Sequence, residues 1–162
     1  MVGLAVVAAA VASVTLVTQG TSHTTHSQAS RNPSASQPMV LYNQFVGALN
    51  RGDVAAATAL FGPDSYIVTP LCVPWCADTT AIAGDFAADA AIHSKITFTD
   101  PRVRGTILTS RITLTAPQLP GGAQRAVGLN TVQTYRGHIV LLRADFDRTD
   151  PQTATFLRAL GK

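Results

Sequence analysis

From Lys95 to Asp147 the chain runs through four segments of period-two alternation, "KITFTD", "GTILTSRITLTA", "AVGLNTVQTY" and "HIVLLRADFD". Turn residues separate them at Asp100-Pro101, between Pro117 and Gly122, and at Arg136-Gly137. Successive side chains of a strand point to opposite faces, so this alternation marks strands with one buried face, and the short turns make an antiparallel meander. Such a sheet cannot bury its apolar face alone. The cover has to come from the chain that precedes it.

That preceding part is helical. Leu41, Phe45, Ala48 and Leu49 recur at spacings of three and four and form one apolar stripe, which Asn50-Arg51-Gly52 brings to an end. Asp53 is a good N-cap for "VAAATALF", which stops at Gly62-Pro63, so two short helices meet at a tight turn. "SYIVTP" reads as a strand with Ser65, Ile67 and Thr69 on its inner side. "TTAIAGDFAADAAIH" reads as a third, alanine-rich helix capped by threonine and ending at His93. "DPQTATFLRALG" starts with Asp150 as a cap and Pro151 at the first helical position, which predicts a closing helix. The expected architecture is α+β: a curved antiparallel sheet wrapped around N-terminal helices, with a cone-like central cavity.

Three segments follow from composition. Val2 to Thr18 is a run of 17 residues without charge, which predicts a signal peptide or membrane anchor over residues 1–18. Both remain open, because "AVA" at Ala10 to Ala12 resembles a cleavage site while no Lys or Arg precedes Arg31. Residues 19–38, "QGTSHTTHSQASRNPSASQP", hold almost no large apolar side chain and read as a disordered linker. His23 and His26 in that tract read as solvated residues and not as metal ligands. Residues 39–162 form the folded domain.

Cys72 and Cys76 in "LCVPWCAD" are the only cysteines, and an even count in an exported chain predicts a disulfide. Three intervening residues and no further ligand nearby argue against a redox pair or a metal site. The formal charge of +3 is spread over scattered arginines, with no basic run and no aromatic interleaving, so nucleic acid is not an expected partner. The expected location is extracytoplasmic, secreted or anchored, with membrane contact only through the N-terminal segment. No cofactor or metal is expected.

"FVGALNRGDVAAATALFGPDSYIVTP", "TAIAGDF" and "VLLRADF" resemble the nuclear transport factor 2-like superfamily, which includes ketosteroid isomerases and SnoaL-like polyketide cyclases with a cystatin-like α+β cone. The resemblance runs from Val40 to Phe146. In the isomerases, a tyrosine on the first helix and an aspartic acid on the meander form an oxyanion hole, while an aspartate on the first strand moves a proton. Matched position by position, these fall at Phe45, Asn130 and Thr69, so none of the three titratable groups is carried over. An epoxide-hydrolase-like relay would need Arg111, Asp145 and Asp147. Alternation turns those outward, since Val140, Leu142, Ala144 and Phe146 form the apolar side of the last strand and Arg143, Asp145 and Asp147 the charged side.

The expected cavity is therefore apolar with neutral polar groups: Phe45, Thr69, Phe86, Ser110, Ile112, Asn130, Leu142 and Phe146 as ligand-binding residues, and no catalytic residue. His138 is the one imidazole expected near its edge. This composition predicts a binder of a small apolar molecule or a protein-interaction module. The alternative is a SnoaL-like isomerase or cyclase or an epoxide-hydrolase-like enzyme, which a carboxylate or imidazole in the cavity would favour. The resemblance also implies a homodimer through the open face of the sheet.

Overall fold

A computed structural model describes residues 36–162. The expected leader (residues 1–18), with nearly all of the linker and with His23 and His26, lies outside the described residues.

The first helix, α1 (Gln37–Arg51), buries Leu41, Tyr42, Phe45, Val46, Ala48 and Leu49 and ends at Gly52, whose φ of 74° is open to glycine at no steric cost. Asp53 then caps α2 (Val54–Thr58) by accepting a 3.0 Å hydrogen bond from the Ala56 N–H. The sequence pattern had this helix continuing to Phe61. Instead the Leu60 carbonyl accepts from Ile139 N–H at 2.9 Å, and the chain is already in strand β1 (Phe61–Val68). Pro63 fits there because β1 is an edge strand that spares one N–H.

Helix α3 (Thr79–Ala91) is capped by Asp78, which accepts from Ala81 N–H at 2.7 Å, and not by threonine as expected. Four strands follow: β2 (Lys95–Arg104), β3 (Ile107–Thr115), β4 (Arg125–Tyr135) and β5 (His138–Phe146). A 3-10 turn at Pro120–Gly122 sits between β3 and β4, and α4 (Pro151–Ala159) closes the chain under its expected Asp150 cap.

The five strands lie in the order β1-β5-β4-β3-β2. Pairing from β2 to β5 is antiparallel, as expected, but β1 runs parallel to β5, which makes the sheet mixed. The chain crosses from one edge of the sheet to the other through α3, and three reversals in the meander leave β5 pointing the same way as β1. The expected turn at Asp100-Pro101 is a bulge within β2: Thr99 pairs with Arg111 and Arg102 with Thr109, leaving one extra residue on the edge strand.

A second bulge matters more. Gln133 pairs with Leu141 but Thr134 pairs with Ile139, so Val140 is the extra residue of β5. The bulge resets the alternation, and Ile139, Leu142, Ala144 and Phe146 face inward. Val140, expected on the apolar side, leaves that set at this point, and His138, expected near the cavity's edge, is exposed against Gly62.

Two apolar clusters support the sheet. One gathers Phe45, Phe61, Phe86, Ile67, Ile82, Leu108, Val132 and Ile139, with ring centroids of the three phenylalanines 5.2 to 5.6 Å apart. The other joins α4 to the far end of the meander through Leu114, Leu119, Ala126, Phe156 and Leu157.

Candidate functional site

Between α1, α3, α4 and the inner face of the sheet lies a cavity of about 240 Å3. Of the residues expected in it, Phe45, Thr69, Phe86, Ile112, Asn130, Leu142 and Phe146 line the wall. Ser110 is buried directly behind, paired across the strands with Asn130.

Strand register sets out the polar groups in a row. Ser110 pairs with Asn130, Asn130 with Ala144, and Val68 with Arg143, so Thr69 follows at the level of Ala144. Adjacent strands lie about 4.8 Å apart, which separates Thr69 from Asn130 by roughly 10 Å. The small side chain of Ala144 leaves the space between them open.

At one end of this row, α1 delivers Tyr42. Its ring packs 4.8 Å from that of Phe98, centroid to centroid, and it is 1% exposed. Burial pushes the Tyr42 hydroxyl up to about 12, with Ser110 and Asn130 pulling in the opposite direction, so the phenol stays protonated at neutral pH. Ser110 Oγ and Asn130 Nδ2 are themselves buried without a hydrogen-bond partner among the described residues. Ser110, Asn130 and the Tyr42 phenol thus form one cluster of buried polar groups at this end of the cavity.

At the other end are two carboxylates that the sequence reading did not place. Asp85 and Asp89 stand one helical turn apart on α3, and both line the cavity. Thr69 Oγ1 donates to Asp85 Oδ1 at 2.8 Å and accepts from Cys72 N–H at 3.2 Å. Cys72 is bonded to Cys76, and Cys76 exchanges two backbone hydrogen bonds of 2.9 and 3.0 Å with Ile67, so the disulfide loop fixes the threonine that holds the acid. Burial raises the Asp85 carboxyl above its ordinary range against the opposing pull of the Thr69 hydroxyl. Asp89 is raised to about 7, first by burial and then by the neighbouring charge of Asp85.

The expectation of a cavity with only neutral polar groups is thus corrected. A signal was present: Ile82, Asp85, Phe86, Asp89 and Ile92 share helical spacings of three and four, so two acids interrupt an otherwise apolar stripe. Tyr42 lies one turn before Phe45 on the same buried stripe of α1, whereas the resemblance aligns the isomerase tyrosine with Phe45.

The outward-facing set stands as expected. Arg143 and Asp145 are exposed and paired at 2.7 Å, Arg111 lies 3.9 Å from Asp100, and Asp147 is exposed and accepts from Thr149. None of them reaches the cavity. Among the described residues, no group of three His, Cys, Asp or Glu side chains is arranged around a common metal position.

A helix-covered mixed sheet enclosing an acid-bearing apolar cavity defines an α+β pocket protein. The particular fold is that of the nuclear transport factor 2-like proteins, also called cystatin-like. An NTF2-like protein of unknown function from Cytophaga hutchinsonii is similar with a TM-score of 0.57 and 14% identity, over 68% of this chain and 90% of that one. SalBIII, an epoxide hydrolase/cyclase-like enzyme of pyran ring formation in the polyether salinomycin, is similar with a TM-score of 0.63 and 16% identity, over 70% and 93%. A candidate ketosteroid isomerase from Kribbella flavida gives 0.57 and 16%, over 68% and 78%. No protein-family model and no curated protein sequence matches the chain.

Proposed function

We propose that the cavity binds a small, neutral, largely apolar molecule through an oxygen atom and moves a proton on it. The observation that carries this reading is that one apolar cavity is lined both by two carboxylates, Asp85 and Asp89, and by the polar side chains of Tyr42 and Asn130. A carbonyl oxygen docked at the polar end accepts from the Tyr42 hydroxyl and the Asn130 amide. As the adjacent carbon loses its proton to Asp85, the growing negative charge on oxygen meets donors already in position. Asp89, close to half-protonated at neutral pH, returns a proton to carbon or oxygen, which completes an isomerisation or ring closure without net gain or loss of atoms.

The cavity disfavours anionic substrates, since a second negative charge beside Asp85 would be desolvated and unpaired. In this reading the domain works outside the cytoplasm, released from or held by the segment Val2 to Thr18. The Cys72–Cys76 bond supports that location. The outer sheet face, where Ile107, Leu129 and Tyr135 are exposed, suits pairing with a second copy.

The test is proton exchange. Small cyclic ketones incubated with the protein in heavy water are expected to gain deuterium at the carbon next to the carbonyl, and Asp85→Asn is expected to abolish the gain. Saturable binding of the same ketones with no exchange at any pH would leave a binder without catalysis.

A further inference from the structure

We propose that the disulfide loop between β1 and α3 is a lipid-contact loop, in which Leu71, Val73 and Trp75 enter a membrane surface beside the mouth of the cavity. These alternate residues are 53%, 59% and 60% exposed, whereas Cys72 between the first two is 3% exposed and bonded to Cys76. The loop is stitched to β1 through Ile67, so the three side chains are held outward and cannot collapse onto the domain. Tyr66, also exposed, extends the patch along a shallow groove that Trp75 shares with Pro63.

Charge narrows the choice of partner. From Phe61 to Asp78 there is no Lys or Arg, and the charged residues of the stretch are Asp64 and Asp78. Attraction to a polyanion, whether nucleic acid or an acidic lipid surface, has nothing to work with here. Hydrophobic transfer remains, and tryptophan with aliphatic neighbours suits the boundary between headgroups and acyl chains.

Two features select a bilayer as the occupant. The chain carries 17 uncharged residues from Val2 to Thr18, of a length that suits hydrocarbon. Finally, Leu71 is both exposed and part of the cavity wall. An apolar molecule dissolved in the bilayer could then enter the cavity without crossing water.

Trp75 is the only tryptophan, so its fluorescence reads the loop alone even in the full chain. With phosphatidylcholine vesicles, its emission is expected to shift to the blue and to be quenched by brominated acyl chains, with no loss on raising the salt. Val73→Asp is expected to keep the far-ultraviolet circular dichroism and reduce the quenching about tenfold, because a carboxylate resists transfer into hydrocarbon. The proposal is overturned if the chain floats with vesicles while Trp75 stays unshifted and unquenched, which would assign all lipid contact to the leader. It is equally overturned if the chain does not float, or if Val73→Asp is quenched like wild type. Deuterium exchange in vesicle-free solution judges Asp85 separately, so either reading can fail alone.

Discussion

Thr69 Oγ1 donates a 2.8 Å hydrogen bond to Asp85 Oδ1, and this contact ties the end of strand β1 to the acid-bearing face of helix α3. A hydrogen bond to the ionised form favours ionisation, so Thr69 partly offsets the burial that raises Asp85. Thr69→Val keeps the shape and removes the donor. The Asp85 carboxyl is then expected to titrate at higher pH than in the wild type. The acidic limb of any exchange activity should move the same way, since the base must be ionised to act. Carbon NMR of the carboxyl group against pH checks it, and an unmoved titration would detach Thr69 from the site.

Asp89 gives stability a particular dependence on pH. Its carboxyl is raised from 3.8 to about 7 in the folded state, so between those values the folded chain holds a proton that the unfolded chain has released. Stability is therefore fullest in acid and falls as pH rises through that window. Asp85, also raised, adds to the fall. Asp89 is only half-buried, and with solvent screening its share is about 2 kcal/mol. Asp89→Asn is expected to flatten the fall and to melt higher than wild type above pH ~8. Parallel pH profiles for the two proteins would contradict the burial of this acid.

Asn130 separates binding from folding. Its Nδ2 is buried and makes no well-formed hydrogen bond, and its pull on the Tyr42 hydroxyl offsets only part of the cost of desolvating it. Asn130→Leu is expected to melt at or above the wild-type temperature. The same change is expected to weaken a ketone ligand by roughly 1 to 3 kcal/mol, since its oxygen loses a buried donor. Calorimetric titration alongside thermal melts distinguishes the two effects, and unchanged affinity would move the oxygen site elsewhere.

Gly128 tests the sheet itself. A Cβ there would lie 2.4 Å from the Asp145 carbonyl oxygen and 2.8 Å from Phe146 Cα, so β4 and β5 could not keep their present approach. Gly128→Ala is expected to cost about 3 kcal/mol or more, because backbone atoms have to move. Denaturant unfolding reads this directly, and a change below 1 kcal/mol would be incompatible with the packed geometry.

Local chemistry, read without any structure, was sufficient for α1 and its Gly52 stop, for the Asp53 and Asp150 caps, for the alternation of β3, and for the outward turn of Arg143 and Asp145. Each depends on neighbours a few residues away, and periodicity records such neighbours in the chain itself. Pairing across the sheet decided the rest. The extra residue at Val140 moves His138 out of the inward set, and nothing in "HIVLLRADFD" shows which residue its partner strand leaves unpaired. Asp85 and Asp89 could be placed on a helix face from their spacing, but only the packing of α3 against β1 and the sheet makes that face the wall of a cavity. The acids look alike in sequence to solvated ones because ionisation is set by what surrounds a group in space, and Thr69 lies 16 residues away along the chain.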